Sequence, residues 1–277
     1  MYATVIIAVY KNIQALKMVL ESLKRQSCKD FDVIIAEDGD SPEMAKFISS
    51  CNYWFAIRHL TQKDDGWNKN AILNKAISES KTGWLIFVDG DCILHNRFVE
   101  MHIRYSGKGK VLGGKRVKLN EELSDYCMSD INNVTFMPKL LSKQLFPWNK
   151  NVGFVEEGFF IDPDGVWGFI PRIRKMKVLK GCNMSFSKDD ILSINGFDED
   201  YRLPAIGEDI DLSWRFKAAG CKLFSLRNLA VEYHLYHKDN WIDQSINETM
   251  MNEKIKENSY ICTFVLALPK RTRKYIF

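Results

Sequence analysis

The sequence predicts an α/β fold with a mainly parallel central sheet and helices on both of its faces. Two observations lead to this prediction. Short apolar runs rich in β-branched residues alternate with helical patterns through the first third of the chain, and polar or acidic residues directly follow several of those runs. This alternation is typical of parallel sheets, because each connection between parallel strands places a helix on one face of the sheet.

The elements of the first half follow one another in a regular order. Residues 3–9 are almost entirely apolar, as expected of a strand that is covered on both faces. Asn12 then opens a helical pattern that ends near Ser27. The alternation continues, with strands expected at 31–36, 54–60 and 84–88 and helices expected at 41–50 and 67–80.

The second half departs from this alternation. Residues 105–180 carry short apolar runs among polar and basic residues. Within them, residues 146–170 are rich in aromatic residues and glycine and are expected to form loops, with a flap over a binding site as one interpretation. A helix is expected to start in the Ser-Lys-Asp-Asp of residues 187–190, and another to begin near Gly207 and to end at Gly220.

The composition is that of an ordinary globular protein. The chain has 277 residues, of which 46% are hydrophobic and 27% charged, enough for one large domain or two small ones and for a sizeable core. Its formal net charge of +4 is too small to indicate nucleic-acid binding. The 7 cysteines are scattered and form no C-x-x-C pair, which favours reduced thiols in the cytoplasm.

Peripheral membrane contact is a further expectation for this cytoplasmic protein. No stretch approaches the roughly 18 apolar residues of a membrane span, and the N-terminus lacks a basic segment followed by an apolar signal core. Basic residues cluster at 172–177 and 270–274 and could meet phosphates or an anionic membrane. A last helix is expected at 243–257, before an apolar stretch at 260–268. This tail could dock on the inner face of the cell membrane, or it could pack against the main domain or a second subunit.

Polar and acidic side chains follow three of the predicted strands, namely Tyr10 after the first, Asp38 and its neighbours after the second, and Asp89-Gly90-Asp91 after the fourth. In parallel sheets ligands gather beyond the carboxyl ends of the strands, so these side chains are expected to share one rim. Clustered carboxylates repel one another unless a cation joins them, which makes a divalent metal carrying a diphosphate a natural partner. A plain turn is the alternative, because Asp and Gly also favour turns.

The order of these segments resembles family 2 glycosyltransferases of the GT-A fold, which are inverting enzymes that transfer a sugar from a nucleotide donor. The resemblance covers about residues 3 to 238. In the first half it is carried by "TVIIAVYKN", "VIIAEDGD", "DDGWNKNAILNKAI" and the Asp-x-Asp of "FVDGDC". Further on, "LKGCNMSFSKDDILSINGFDEDY" and "GEDIDLSWRF" are similar to the acceptor half, in the variant shared with β-1,4-galactosyltransferases.

The resemblance implies one GT-A catalytic domain over residues 1–240 and a C-terminal tail over residues 241–277. Residues 1–104 would form the nucleotide-binding half and residues 105–240 the acceptor-binding half. Asp38 would accept the imide N–H of uracil, which is chemistry that a carboxylate can perform. The residues that would bind the donor, a UDP-sugar by preference, are Ala8, Tyr10, Asp38, Lys69, Asn74, Asp89 and Gly181.

The resemblance also implies a metal centre and a catalytic base. Asp91, His234 and His237 would ligate Mn²⁺ or Mg²⁺, since hard cations take oxygen ligands and Mn²⁺ also accepts imidazole. Asp209 would take the proton of an acceptor hydroxyl, and Glu208 would hold a sugar. The acceptor would be a glycan or a lipid-linked saccharide.

Other interpretations stay open at this point. The acids at 208–211 could simply complement the dipole of the helix that they open, and Asp211 is expected to be a helix-start or supporting residue. Tyr10 could be a packed surface aromatic and Lys69 an ordinary solvated lysine. A non-catalytic nucleotide-sugar-binding protein would keep the fold, but would not explain why Asp91, Asp209 and two histidines occur together.

Two further enzyme classes share part of the pattern. A sugar nucleotidyltransferase also pairs acids around a metal, but it should carry a glycine-rich loop after the first strand, and residues 9–12 contain no glycine. A zinc hydrolase built on His234 and His237 should show a His-Glu-x-x-His pattern, which is absent from this segment.

Overall fold

The computed structural model describes residues 2–144, 152–238 and 242–263. The strands are β1 (Ala3–Val9), β2 (Phe31–Glu37), β3 (Ile57–Leu60), β4 (Trp84–Asp89), β5 (Cys92–Leu94), β6 (Lys110–Gly113), β7 (Arg116–Lys118), β8 (Met184–Ser187), β9 (Lys222–Ser225) and β10 (Glu232–His234). The helices are α1 (Ile13–Lys24), α2 (Pro42–Ser49), α3 (Lys69–Glu79), α4 (Phe98–Arg104), α5 (Glu121–Ser129), α6 (Met137–Gln144), α7 (Phe169–Ile173), α8 (Lys188–Ser193), α9 (Asp211–Ala218) and α10 (Ser245–Lys256).

Seven of the described strands form the central sheet, in the order β3-β2-β1-β4-β8-β6-β9. The pairs β3–β2, β2–β1, β1–β4 and β6–β9 are parallel, whereas β8 runs antiparallel to both of its neighbours. The predicted mainly parallel sheet is therefore confirmed. Strands from both predicted halves of the chain lie in this one sheet.

The continuous apolar run of β1 has a direct cause in the packing. Alternate side chains of a strand point to opposite faces of the sheet. Val5 and Ile7 pack with the apolar stripe of α1 on one face, while Ile6 packs with Ile72 and Ile77 of α3 on the other. Because helices cover both faces, each of these side chains is fully buried.

A smaller sheet in the order β5-β10-β7 brings the second half of the chain back to the first half. The strand β10 is antiparallel to β5, with His234 opposite Cys92, and parallel to β7. Since β5 follows β4 after only Gly90 and Asp91, this register places His234 beside the Asp-Gly-Asp segment.

Most predicted elements are present, with differences at their ends. The third strand starts at Ile57 rather than at residue 54, because Trp54 and Phe55 turn into an aromatic cluster with Phe31. The segment predicted as loops at 146–170 contains a 3₁₀ turn at Val155–Gly158 and the first residues of α7, while residues 146–151 lie outside the described ranges.

The C-terminal tail is described only in part. The helix expected at 243–257 is present as α10, and Lys254 in that helix lies 2.5 Å from Asp198 and 2.7 Å from Asp200. Residues 264–277, with most of the apolar stretch and the basic end, lie outside the described residues. Every helix within the described ranges is too short or too polar to cross a bilayer.

Candidate functional site

A cavity of about 370 Å³ lies at the carboxyl ends of β1, β2 and β4, where parallel strands place ligands. Its volume falls in the range of about 300–1,000 Å³ that is usual for small-molecule sites. The residues that line it are Ala8, Val9, Tyr10, Asn12, Ala36, Asp38, Gly66, Trp67, Lys69, Asp89, Gly90 and Asp91. Five of the seven residues predicted to bind a donor are among them.

Asp38 and Tyr10 lie at the β1–β2 side of this cavity. Asp38 follows β2 and is only 7% exposed; its carboxylate accepts a hydrogen bond from the Gln62 side chain at 2.6 Å and another from the Asn68 backbone at 2.8 Å. These bonds fix the carboxylate, and each oxygen keeps a further lone pair for a ligand. Tyr10, in contrast, is 52% exposed and offers an open aromatic face.

Lys69 bridges two carboxylates that lie far apart in the sequence. Its Nζ is 2.7 Å from Asp89 Oδ1 and 2.7 Å from Glu208 Oε2, so strand β4 and the π-helical segment of the second half meet at this ammonium group. Burial opposes ionisation of Asp89, but Lys69 outweighs it and lowers the pKa of that carboxyl. Arg116 adds a second cation, 3.6 Å from Asp89 Oδ2. The solvated-lysine interpretation of Lys69 is therefore wrong.

Gly90 in the Asp-Gly-Asp segment is required by close packing. A Cβ at this position would lie 2.6 Å from Val9 Cγ1 and 3.1 Å from the Ala8 carbonyl oxygen. The Gly90 N–H donates to that same carbonyl at 2.8 Å. The backbone therefore passes directly against β1 and carries Asp89 and Asp91 to the rim, a constraint that a surface turn would not impose.

Asp91, His234 and His237 converge at the outer edge of the cavity. Asp91 Oδ2 lies 3.5 Å from His234 Nε2 and 3.6 Å from His237 Nε2, and the three ligand atoms lie within 4.8 Å of one another. Burial lowers the pKa of His234, which favours the neutral imidazole that can bind a metal. One carboxylate oxygen and two imidazole nitrogens form a donor set that suits Mn²⁺, so these residues fit a divalent metal.

Asp209 and Glu208 occupy a π-helical turn, Ile206–Ile210, that leads into α9. Asp209 is 8% exposed, and its Oδ2 lies 3.5 Å from Lys180 Nζ. Burial raises the pKa of both Asp209 and Glu208, against the opposing effects of Lys180 and Lys69 respectively. Ala205, directly before the turn, has a φ of +83°, a strained backbone of the kind that often occurs at functional sites.

Asp211, two residues later, behaves differently. It is fully buried, lies 3.2 Å from Arg215 Nη1 and accepts hydrogen bonds from Tyr201 and Trp214. Its carboxylate holds α9 in place, which is the supporting role expected for it.

The remaining two predicted donor residues lie outside the cavity lining. A Cβ on Gly181 would lie 3.1 Å from Glu208 Oε1, so a glycine here leaves room for that carboxylate. The Asn74 side chain is buried, and both its amide nitrogen and its amide oxygen form hydrogen bonds. The nitrogen donates to the Phe197 carbonyl at 2.9 Å and to Glu199 at 2.8 Å, and the oxygen accepts from the Phe197 N–H. The structure thus places Asn74 where it holds the loop before the π-helical turn.

The structure adds residues that the sequence patterns did not single out. Asn70 is fully buried and donates to the carbonyls of Asp198 and Gly207, so it fixes the π-helical turn against α3. Arg116 and Lys180 supply cations to Asp89 and Asp209. Each acts across a contact between distant segments, which no local spacing reveals.

Comparisons with known proteins agree with this architecture. The model of the family described as "Glycosyl transferase family 2" matches residues 4–165, and the one described as "N-terminal domain of galactosyltransferase" matches residues 172–238. Chondroitin synthase of Escherichia coli is 22% identical over 246 residues, 83% of this chain and 34% of that protein. Chondroitin synthase of Pasteurella multocida is 22% identical over 271 residues, 92% of this chain and 27% of that protein. The chain thus spans about a third of the length of these relatives.

Solved structures show the same fold at low identity. GalNAc-T7 with UDP, GalNAc and Mn²⁺ superposes with a TM-score of 0.61 at 12% identity, over 91% of this chain and 47% of that one. Staphylococcus aureus TarS residues 1–349 with UDP-GlcNAc gives a TM-score of 0.59 at 12% identity, over 92% and 66% respectively. A mannosyltransferase from Pyrobaculum calidifontis with GDP-Man and Mn²⁺ gives a TM-score of 0.55 at 11% identity, over 86% of this chain and 58% of that one.

The likeness to these structures confirms the predicted GT-A fold. The first family model covers more than half of the chain, and it includes the cavity rim from β1 to the Asp-Gly-Asp segment. The chain therefore belongs to glycosyl transferase family 2.

Proposed function

We propose that this protein is a metal-dependent, inverting glycosyltransferase that moves a sugar from a UDP-sugar to a hydroxyl group of a glycan or lipid-linked saccharide. The observation that carries the proposal is the meeting of three groups at one cavity. The Asp91–His234–His237 cluster lies at its rim, the Lys69 bridge lies in its wall, and Glu208 of that bridge is followed directly by the buried Asp209.

The cavity suits a nucleoside diphosphate. The base would lie against Tyr10 and be recognised by the fixed Asp38 carboxylate, close to the backbone of Ala8. The diphosphate would extend toward Lys69 and the Asp-Gly-Asp segment. UDP is preferred because two of the similar solved structures contain UDP or UDP-GlcNAc, although a third contains GDP-Man.

The metal centre would be formed by Asp91, His234 and His237, with Mn²⁺ or Mg²⁺ as the ion. When bound, such an ion neutralises the charge that develops on the leaving diphosphate. Asp89 is already neutralised by Lys69 and Arg116 and is therefore assigned to orienting the donor rather than to metal binding.

Asp209 is the proposed general base. In a single displacement, an acceptor hydroxyl attacks the anomeric carbon from the face opposite the diphosphate, and its proton passes to a carboxylate as the new bond forms. Burial raises the pKa of Asp209, which makes it a stronger base than an exposed aspartate. Glu208, held in place by Lys69, would bind a sugar hydroxyl beside it.

The decisive experiment measures nucleoside diphosphate release from a panel of UDP-, GDP- and dTDP-sugars with Mn²⁺, Mg²⁺ or chelator. We expect one UDP-sugar to be turned over with Mn²⁺ or Mg²⁺ and not with chelator. Asp91→Ala should abolish the turnover that depends on metal. Asp209→Asn should reduce transfer by about 10²- to 10⁴-fold, the usual contribution of a general base. Asp125→Asn, at an exposed carboxylate of α5, is the matched control.

Other outcomes would identify a different function. Synthesis of a nucleoside triphosphate from the sugar nucleotide and pyrophosphate would indicate a sugar nucleotidyltransferase. Tight donor binding without turnover on any saccharide acceptor would indicate a binding protein. A product that keeps the anomeric configuration of the donor would contradict the inverting mechanism.

We also propose that the protein contacts an anionic membrane from the cytoplasmic side. Val166, Trp167, Phe169 and Ile173 are 53% to 88% exposed, and the exposed Arg172 lies among them in the sequence. Exposed apolar side chains next to basic residues suit an interface with anionic lipid. Flotation with phosphatidylglycerol vesicles should be weakened by Trp167→Ala and not by deletion of residues 269–277 if this patch is responsible. Equal flotation of the wild type with neutral vesicles would contradict the proposal.

A further inference from the structure

A second cluster of ligand-type side chains lies next to the rim, buried inside the protein. Cys92, Cys182 and Glu232 are 0%, 1% and 0% exposed, and one ligand atom from each lies within 4.8 Å of the other two. They come from β5, the segment before β8 and β10. The proposed transfer reaction uses none of these three side chains.

The Glu232 carboxylate lacks the partners that a buried charge needs. Among the described residues, neither of its oxygens has a hydrogen-bond partner. An unpaired carboxylate in the interior costs several kcal/mol, so a cation or a proton must accompany it. The need for a counter-charge is an observation independent of the three-residue geometry, and it points to a ligand at this position.

The nearby guanidinium group only partly meets this need. Arg116 Nη1 donates to Cys182 Sγ at 3.4 Å and lies 3.6 Å from Asp89 Oδ2. One positive charge therefore serves a thiol and a carboxylate on the side of the cluster that faces the cavity. Arg116 also acts on Glu232 electrostatically, but within the described residues it forms no hydrogen bond with either Glu232 oxygen.

The donor set indicates the type of cation. Two sulfur atoms and one carboxylate oxygen favour a thiophilic divalent ion, above all Zn²⁺, over Mg²⁺ or Mn²⁺. Zinc sites with three protein ligands and a fourth, non-protein ligand are well known. The oxygen and nitrogen donors of the Asp91 cluster have the opposite preference, so the two clusters would take different metals.

We propose that Cys92, Cys182 and Glu232 form a buried structural zinc site that joins β5 and β10 to the segment leading into β8. This site is separate from the proposed reaction and does not depend on it. Its effect would be on the position of the rim residues, because Cys92 follows Asp91 directly and Glu232 lies two residues before His234 in the same strand. A bound ion would fix both strands from the inside and so hold the rim ligands in register.

Titration of chelator-treated, reduced protein with Co²⁺ under argon tests this proposal. Thiolate-to-cobalt charge transfer gives an intense near-ultraviolet band that carboxylate and imidazole ligands do not give. We expect the band to saturate at one equivalent per chain, to be bleached by one equivalent of Zn²⁺, and to persist in His237→Ala. Cys92→Ser and Cys182→Ser should each remove or strongly weaken it.

Cys127→Ser provides the matched control, since Cys127 is equally buried but lies against Met137 and, within the described part of the chain, belongs to no cluster of ligand-type side chains. It should leave the band unchanged. If the wild-type protein keeps its circular dichroism spectrum and binds Co²⁺ without a charge-transfer band, the proposal fails and Glu232 holds a proton instead. A band that survives in both cysteine variants would place the ion elsewhere and would also overturn it. The wild-type titration decides the question even if a variant does not fold.

Discussion

The two aspartates of the Asp-Gly-Asp segment face opposite electrostatic surroundings. On the lysine side of the cavity, Asp89 lies 2.7 Å from Lys69, which also holds Glu208. On the histidine side, Asp91 faces two imidazoles at 3.5 and 3.6 Å and, among the described residues, has no Lys or Arg partner. The chain neutralises the first carboxylate itself, and the second is the one that we propose binds an external cation. One short motif therefore contains a fixed structural ion pair and a proposed metal ligand.

Removal of Lys69 should give the largest effect on stability. Lys69→Met leaves Asp89 and Glu208 largely buried without their shared cation, and breaking such a pair costs about 3–5 kcal/mol of unfolding free energy. Urea denaturation followed by tryptophan fluorescence measures the loss. Lys75→Met is the control on the same helix, because Lys75 is exposed and its ammonium group donates to the Thr61 carbonyl rather than to a buried carboxylate. Equal stability of the two variants would mean that Lys69 does not hold the two halves together.

Removal of a histidine should affect metal binding and leave the fold intact. His237 is about half exposed, so His237→Ala should change the unfolding free energy by less than about 0.5 kcal/mol. The loss of a direct ligand should weaken Mn²⁺ binding by at least the roughly 10- to 100-fold that loss of an outer partner costs. Isothermal titration calorimetry with Mn²⁺ measures this, with Lys238→Met as the neighbouring control. Unchanged Mn²⁺ affinity would contradict the metal centre.

A methyl group at Gly90 should disturb both sides of the cavity at once. Gly90→Ala places a Cβ 2.6 Å from Val9, and such overpacking typically costs about 1–3 kcal/mol. Thermal unfolding of Gly90→Ala should therefore occur at a lower temperature than that of the wild type. Gly83→Ala, where a Cβ meets nothing within 4 Å, is the control. A stability loss in Gly83→Ala as large as in Gly90→Ala would show that the close approach to β1 is not the cause.

The smallest predicted effect concerns pH. Burial raises the pKa of Asp209, so this group favours the folded state at low pH and loses that contribution as pH rises through its folded pKa. Activity should change in the opposite direction, because the base must be ionised. Lys180 opposes the raised pKa, so Lys180→Met should move the acid limb of the rate profile to higher pH. The shift should be modest, since the Lys180 side chain is 43% exposed and solvent screens it.

Profiles of donor turnover at saturating metal measure this shift, and Lys175→Met serves as the control at an exposed lysine. Saturation with metal is needed so that a change in metal occupancy with pH does not contribute to the profile. An acid limb that moves equally in both variants, or a limb that moves to lower pH in Lys180→Met, would remove Asp209 from its proposed role.

The sequence predicted what local patterns determine. The strands β1, β2 and β4 each end within one residue of the predicted position, because a continuous apolar run stops where polar residues reach the rim. The gathering of Asp38, Asp89 and Asp91 at one edge followed from the parallel order of these strands. The Asp-Gly-Asp segment alone allowed either a turn or a metal site. The structure has Gly90 and Asp91 in a turn between β4 and β5, and the register of His234 opposite Cys92 supports the proposal that this turn also carries a metal ligand.

Contacts between distant segments were not predictable in this way. They depend on how the second half folds back on the first. Examples are the Lys69–Glu208 pair, the Asn70 bonds to the π-helical turn and the antiparallel insertion of β8. The assignment of Asn74 to the donor came from the family resemblance alone. The structure instead directs its amide to residues 197–199, on the buried face of α3.

The polar face of α3 has a consequence for engineering. Lys69, Asn70 and Asn74 all lie in the first half of the chain, yet each of them is bonded to a group between residues 197 and 208. A hybrid enzyme that exchanged only the residues after 104 for those of a relative would lose the partners of these three side chains. The exchangeable module is therefore discontinuous in sequence, and a functional chimera should inherit α3 together with the residues after 104 that it secures.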